Sequence, residues 1–445
     1  MDLFRRKEAT LERMPDWQRG DVKLYLGDCR EVMANLPDGS VDAVVCDPPY
    51  ELGFMDHAWD KSGIAYDVAV WRECLRLLKP GGHLLAFGGT RTYHRMACAI
   101  EDSGFEIRDQ IQWIHGQGFP KNRDVSKAID KAAGAARKRI QPGNQPAYQR
   151  SIGNTRPWMD DSEHTIDGPD AVTDDAKKWA GFGTALKPAH EPIVVARKPF
   201  KGTVAANVLE HGCGALNIGE CRIDGEKPQT TRGAGGKNGR YGPLGAQGRI
   251  VDDGKGRWPA NVIHDGSDEV LAAFPEVHLA GNRPRVRSAS RSVCHGGYGY
   301  GSIATVPPGD GGLAFANAAR FFYCAKASTE ERDRGLEGEE LHDSQVTRMS
   351  GDGMKVRQDG TERKMPTARN THPTVKPVAL MEYLCKLVTQ PGGIVLDPFL
   401  GSGTTGLAAV RGGFQFIGIE LLDKWLQIAS KRITAEFDRH PLFDA

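Results

Sequence analysis

Two stretches near opposite ends of the chain share one grammar: a short apolar run, a corner that opens with Asp-Pro, and an amphipathic helix pattern beyond it. The first is Val41-Asp-Ala-Val-Val-Cys46 leading into Asp47-Pro48-Pro49-Tyr50. The second is Ile394-Val-Leu396 leading into Asp397-Pro-Phe-Leu-Gly-Ser-Gly-Thr-Thr-Gly406. Apolar runs this short read as strands, and strands separated by helices of 10–15 residues imply βαβ units and a parallel sheet.

Around the first corner the pattern predicts strands at Val22–Leu26, Val41–Cys46, His83–Phe87 and Phe105–Trp113. Helices fall at Arg30–Leu36, with Asp28 as its N-cap, at Ala65–Leu78 and at Thr90–Asp102. Around the second, helices are predicted at Val375–Thr389, Thr404–Val410 and Leu422–Phe437, and strands at Ile394–Leu396 and Phe414–Ile419. Between the ends the chain turns rich in Gly, Pro, Arg and Asp, with loop-like stretches at Thr231–Gly245 and Arg283–Gly301. Only His190–Arg197, Asn261–Phe274 and Arg320–Lys326 read as ordered islands there. The expected organisation is an N-terminal extension (1–20), one half of an α/β layer (21–115), a long irregular insertion (116–370), and a second half (371–445) that completes the same sheet.

Composition narrows the class. With 39% apolar and 26% charged residues the chain reads as globular. No apolar run approaches a bilayer span, and the charged start, MDLFRRKEATLERM, has no signal-peptide core, so a cytoplasmic protein without membrane association is expected. Nine cysteines form no CxxC pair and no zinc-spaced cluster, so no metal site is predicted. The net charge of +1 hides uneven spread: Lys121–Arg150 holds eight Lys/Arg against two acids, and Arg197–Arg257 eleven against six. Such basic segments suit a polyanion.

The corners carry the chemistry. In open α/β sheets ligands bind beyond the carboxyl ends of the strands, where both motifs sit. The prolines of Asp47-Pro48-Pro49-Tyr50 hold the backbone extended and remove two donors, so carbonyls and the Asp47 carboxylate form a fixed acceptor cluster beside the Tyr50 ring. That cluster matches a planar ring bearing an NH₂ group. At the second corner Gly401, Gly403 and Gly406 satisfy GxGxxG, and Glu420 lies 19 residues after Gly401 at the end of the next strand. A glycine turn admits a ligand to the backbone and a strand-end acid grips ribose hydroxyls, which describes any adenosine cofactor. Asp397 and Phe399 before the glycines favour a cationic one bearing an amino acid over NAD.

Taken together, these residues resemble the DNA amino-methyltransferases that make N6-methyladenine or N4-methylcytosine. DPPY is similar to their catalytic motif, so the resemblance makes Asp47, Pro48, Pro49 and Tyr50 catalytic. DPFLGSGTTG is similar to their cofactor motif, so Asp397, Phe399, Gly401, Gly403, Thr404 and Thr405 would hold S-adenosyl-L-methionine. Leu26-Gly27-Asp28 resembles the segment whose acid meets the cofactor adenine, Thr371-His-Pro-Thr-Val-Lys376-Pro377 the segment that shapes the methionine pocket, and Phe416-Ile-Gly-Ile-Glu420 the ribose-binding segment. The motif order looks like the beta class, which implies a circularly permuted Rossmann-like sheet with a long basic insertion, and the flavour is similar to phage and prophage methylases. The resemblance further implies double-stranded DNA as partner, a target-recognition region within the insertion, and a target base flipped from the duplex. A homodimer stays open, and no nuclease motif points to a restriction partner.

Asp at the head of DPPY favours adenine N6, with cytosine N4 as the alternative within the class. Cytosine C5 chemistry needs a cysteine where Asp47 stands, which leaves Cys46 to the core. An NAD-dependent oxidoreductase and a catalytically dead DNA-binding protein are the readings from other classes. Phe54 and Trp59 are candidates for a base pocket, Trp113 for core. His190 with Glu191 reads as polar packing at a strand edge, and His372 as a support for Lys376 and the cofactor loop.

Overall fold

The computed structural model describes residues 13–53, 58–116, 122–140, 166–223, 258–273, 276–278, 315–317, 322–324, 326–343 and 367–439. Phe54, the Thr231–Gly245 and Arg283–Gly301 stretches and much of both basic segments lie outside the described residues, and of Trp59 only the backbone is described.

A ten-stranded sheet organises the chain. Its strands are β1 (Trp17–Arg19), β2 (Val22–Leu26), β3 (Val41–Cys46), β4 (Leu78–Phe87), β5 (Glu106–Ile114), β6 (His190–Arg197), β7 (Val262–His264), β8 (Phe322–Tyr323), β9 (Ile394–Asp397) and β10 (Gln415–Glu420). Their order is β1-β2-β10-β9-β3-β4-β6-β5-β7-β8. The two C-terminal strands therefore slot between β2 and β3, in parallel, with Leu396 level with Val44 and Gly418 with Leu24. The ends of the chain close one permuted sheet, as the motif order implies.

Strand β3 is buried at all six residues, which is why it reads as a near-continuous apolar run. Its one polar member, Asp42, accepts Lys79 Nζ at 2.7 Å and the Ile394 N–H at 2.8 Å, tying β3 to its neighbours at the end away from the motifs. Side-chain alternation then builds two cores. Ala43, Val45, Leu85 and Phe87 pack with α4 (Val378–Val388), α5 (Thr404–Gly412) and α6 (Asp423–Arg439). Val44, Cys46, Leu84 and Ala86 pack with α1 (Cys29–Met33), α2 (Val68–Leu77) and α3 (Tyr93–Asp102). The α1 N-cap is Asp28, accepting from the Arg30 N–H at 2.8 Å.

The sheet is mixed where the sequence pattern predicts parallel strands throughout. Strand β6 lies between β4 and β5 and runs antiparallel to both, pairing Leu85 with Val195 and Ile111 with Ile193. It is fully flanked, not an edge, and it comes from within the 116–370 span, as do β7 and β8. Its Pro192-Ile-Val-Val-Ala196 run is buried for that reason. Residues Gln117–Ala189 form a separate compact unit. Within that unit the helix Val125–Ala132 carries a buried Asp130, which accepts Arg137 Nε at 2.7 Å and the Thr173 hydroxyl at 2.8 Å.

Candidate active site

The carboxyl ends of β2, β10, β9, β3 and β4 line up side by side, and every motif residue named above follows one of them or faces them. Gly27 donates its N–H to the Glu420 carbonyl at 2.8 Å, and Leu400 donates to the Ile419 carbonyl at 2.9 Å, so the β2, β9 and β10 corners are stitched together. Asp397 and Asp47 end adjacent strands.

At the glycine corner each carboxylate already accepts two hydrogen bonds. Asp397 accepts the Thr405 hydroxyl at 2.5 Å and the Phe399 N–H at 2.9 Å. Glu420 accepts the Gly401 N–H at 2.8 Å and the Leu422 N–H at 3.0 Å. Burial pushes both carboxyls up to about 7, against those hydrogen bonds. A carboxylate oxygen has a second lone pair, so Glu420 retains capacity for further donors. The glycines have distinct reasons. Gly401 has φ +55°, and a side chain there would press on His372 at 3.0 Å. At Gly403 and Gly406 a methyl group would sit 2.8 Å from Ala429 and 2.5 Å from Ile433, so these residues let α6 close onto α5. His372 stacks edge-on against Trp425 at 4.8 Å, and burial lowers its imidazole to about 3, so it is a neutral packing group. Buried Arg432 donates to the Ser402 carbonyl at 2.6 Å, and Arg332 to the His372 carbonyl at 2.7 Å. Asp28 bonds Arg30 through its side chain as well, at 2.6 Å.

The proline corner is built differently. Asp47 Oδ2 accepts from Lys376 Nζ at 2.5 Å, whereas the buried Oδ1 has no hydrogen-bond partner among the described residues. Lys376, grouped by the motif resemblance with the cofactor residues, is placed at this corner, with its ammonium 5.2 Å from the Tyr50 ring centre and 4.9 Å from that of Phe87. Burial raises the Asp47 carboxyl while Lys376 pulls it down, and the net direction is upward. Burial works against the Lys376 charge, but the neighbouring carboxylates outweigh it and raise its pKa.

A third carboxylate completes the cluster. The Tyr50 hydroxyl donates to Glu191 Oε2 at 2.8 Å, Lys376 Nζ lies 3.4 Å from the same oxygen, and His115 Nε2 lies 3.6 Å from Oε1. Burial opposes the Glu191 charge, yet Lys376, His115 and Tyr50 hold its carboxyl well below the ordinary range. Strand-edge packing is the wrong reading of this residue: β6 is central, and Glu191 points into the site. The backbone after Tyr50 is strained, with Glu51 at φ +54°. Such a residue costs about 1–3 kcal/mol, and buried Asp60 supports it by accepting the Glu51 and Leu52 N–H groups at 2.9 and 3.2 Å. Cys46 is buried in the core and its thiol pushed up by desolvation, unlike a nucleophile. Trp113 is core too, donating to the Cys324 carbonyl at 3.1 Å. Among the described residues no cluster of His, Cys, Asp or Glu is placed to hold a metal, and no helix is long and apolar enough to cross a membrane.

The model of a DNA methylase family, the N6/N4 methyltransferases, matches residues 41–217 and 309–431, more than half of the chain. The chain belongs to that family. The chain is similar to the Type II methyltransferase M2.DpnII of Streptococcus pneumoniae, 46% identical over 74 residues. That stretch is 17% of this chain and 28% of the relative's length. Solved structures to which the chain is similar include the PvuII DNA methyltransferase, specific for cytosine N4, at TM-score 0.38 and 13% identity over 95% of each chain. The M1.HpyAVI–SAM complex aligns at TM-score 0.35 and 18% identity over 93% of this chain and 98% of that one.

Proposed function

We propose that this DNA methylase transfers a methyl group from S-adenosyl-L-methionine to the exocyclic N6 of adenine in duplex DNA. The observation that carries the reading is the unpartnered, buried Oδ1 of Asp47, an acceptor beside an aromatic ring and one strand away from the glycine corner. A buried acceptor without a donor is costly, and a ligand amine removes that cost.

The residues present fit the cofactor. Gly401 and Gly403 open the backbone, Glu420 has lone pairs free for ribose hydroxyls, and Asp28, Phe399, Thr404 and Thr405 surround that corner. Bound there, S-adenosyl-L-methionine supplies an electrophilic methyl on a sulfonium sulfur. The chain does the rest. An exocyclic amine is a poor nucleophile because its lone pair is delocalised into the ring. Asp47 Oδ1 and the Pro48 carbonyl accept its two hydrogens, draw the nitrogen towards sp³ geometry and expose the lone pair, while Pro49 keeps the corner rigid and Tyr50 stacks the base. Asp47 is also the nearest acceptor for the proton that the methylated amine sheds. Basic segments of the insertion would neutralise phosphates.

The test is direct. The purified chain is incubated with labelled S-adenosyl-L-methionine and unmethylated duplex DNA, and the DNA is digested to nucleosides. Labelled N6-methyl-2′-deoxyadenosine is expected; label on cytosine N4 would overturn the choice of base, and unlabelled DNA the whole reading.

A further inference from the structure

The motif analysis gave Glu191 no part in the chemistry, yet it is the hub of the cluster. Its two oxygens meet Tyr50, Lys376 and His115, and its strand is paired on both sides, with β4 and β5. Lys376 is 2.5 Å from Asp47 and 3.4 Å from Glu191, with its side chain 8% exposed, so one ammonium is shared by two carboxylates in a site shielded from water. We infer that Glu191 is a positioning residue: by drawing the Lys376 ammonium towards itself, it limits how tightly lysine occupies Asp47 and so keeps Asp47 available to the target amine. This rests on the amine-methylation reading above.

The charges leave little freedom. Facing Asp47 are Lys376 from the Thr371–Pro377 segment, Glu191 from β6, Tyr50 from its own loop and Asp397 from β9. Facing Glu191 are Lys376, His115 just past β5, Tyr50, and Lys326, whose ammonium lies 5.9 Å from the Trp113 ring. Asp47, Glu191 and Lys376 together carry one net negative charge. Removing the Glu191 charge leaves Asp47 as the one carboxylate in contact with the lysine. The acid limb of the methylation profile follows Asp47 ionisation, because a protonated Asp47 cannot accept the amine hydrogens. The Glu191 charge disfavours that ionisation, raising the Asp47 pKa, and Lys376 favours it, lowering the pKa.

Opposite shifts are therefore predicted. In the full chain, the pH profile of labelled-methyl transfer to duplex DNA is compared for wild type, Glu191→Gln, Glu191→Asp and Lys376→Met. Glu191→Gln moves the acid limb to lower pH with a reduced plateau, and Lys376→Met moves it up by about one pH unit or more. Glu191→Asp, which keeps the charge, stays near wild type and guards against reading a misfolded Gln variant as a positive. A Glu191→Gln limb that does not move, or moves upward, overturns the inference while wild-type transfer leaves the parent reading standing. Absence of transfer by wild type sinks the parent reading instead.

Discussion

Two corners of this chain begin with the same dipeptide, Asp-Pro, at the ends of adjacent parallel strands, and their carboxylates lead different lives. Asp397 has a donor from its own loop on each oxygen, the Thr405 hydroxyl and the Phe399 N–H. Asp47 has one oxygen held by a lysine 329 residues away in sequence and the other left open. A loop that satisfies its own acid makes a brace. A loop whose prolines withhold donors leaves the acid for a ligand or for a side chain brought by the fold. The dipeptide sets the direction of each carboxylate, and the residues after it set its use.

The largest test of that contrast is Asp47→Ala. It is expected to lower methyl transfer by about 10²–10⁴-fold, the range for a positioned acid–base group, while the dissociation constant for S-adenosyl-L-methionine stays close to wild type. Near-normal turnover would erase the difference between the corners. Next comes Glu420→Ala, which strands the Gly401 and Leu422 N–H groups and removes the proposed ribose acceptor. Calorimetry should show cofactor binding weakened by about 1–3 kcal/mol, roughly 5- to 150-fold, with DNA affinity unaffected.

A smaller effect sharpens the brace. The Asp397 and Glu420 carboxyls sit near 7 in the folded chain against ordinary values of 3.8 and 4.5. Between those limits the folded state keeps protons that the unfolded state has released. Their contribution to stability is therefore present in acid and is lost as pH rises towards 7. Unfolding midpoints measured across that window should show a downward slope that Asp397→Asn makes shallower. A slope identical in the variant would remove Asp397 from the account. The smallest change is Tyr50→Phe, which keeps the ring and loses the hydroxyl's hydrogen bond to Glu191 and its contact with Asp47, worth about 1 kcal/mol. Steady-state kinetics should show a loss under tenfold, whereas Tyr50→Ala also forfeits stacking of about 1–3 kcal/mol.

Much of this was legible before folding was considered. Strand β3 and the helices around it announce themselves because a buried parallel strand has no polar face to show. His190–Arg197 stood out as ordered inside a Gly/Pro-rich span for the same reason. Its place and direction did not. A strand that crosses back antiparallel between two others leaves no periodic mark, so the pattern implied a parallel sheet. Glu191 was hidden with it: an acid two residues before a buried Ile-Val-Val-Ala run looks like packing until the sheet order puts it beside Tyr50. The link from Lys376 to Asp47 leaves no mark in the sequence either. The lysine's neighbours in sequence belong to the cofactor side, but its side chain is long enough to reach Asp47. The roles of Gly403 and Gly406 also needed the fold, since what they avoid, Ala429 and Ile433, lies on another helix.

The central claim is that both corners serve one ligand site. Hydrogen–deuterium exchange of the full chain, with and without S-adenosyl-L-methionine, tests it most directly. Slower exchange is predicted in both the Phe399–Thr405 loop and the Tyr50–Leu52 turn. Protection confined to the glycine loop, with the Tyr50–Leu52 turn unchanged, would contradict it.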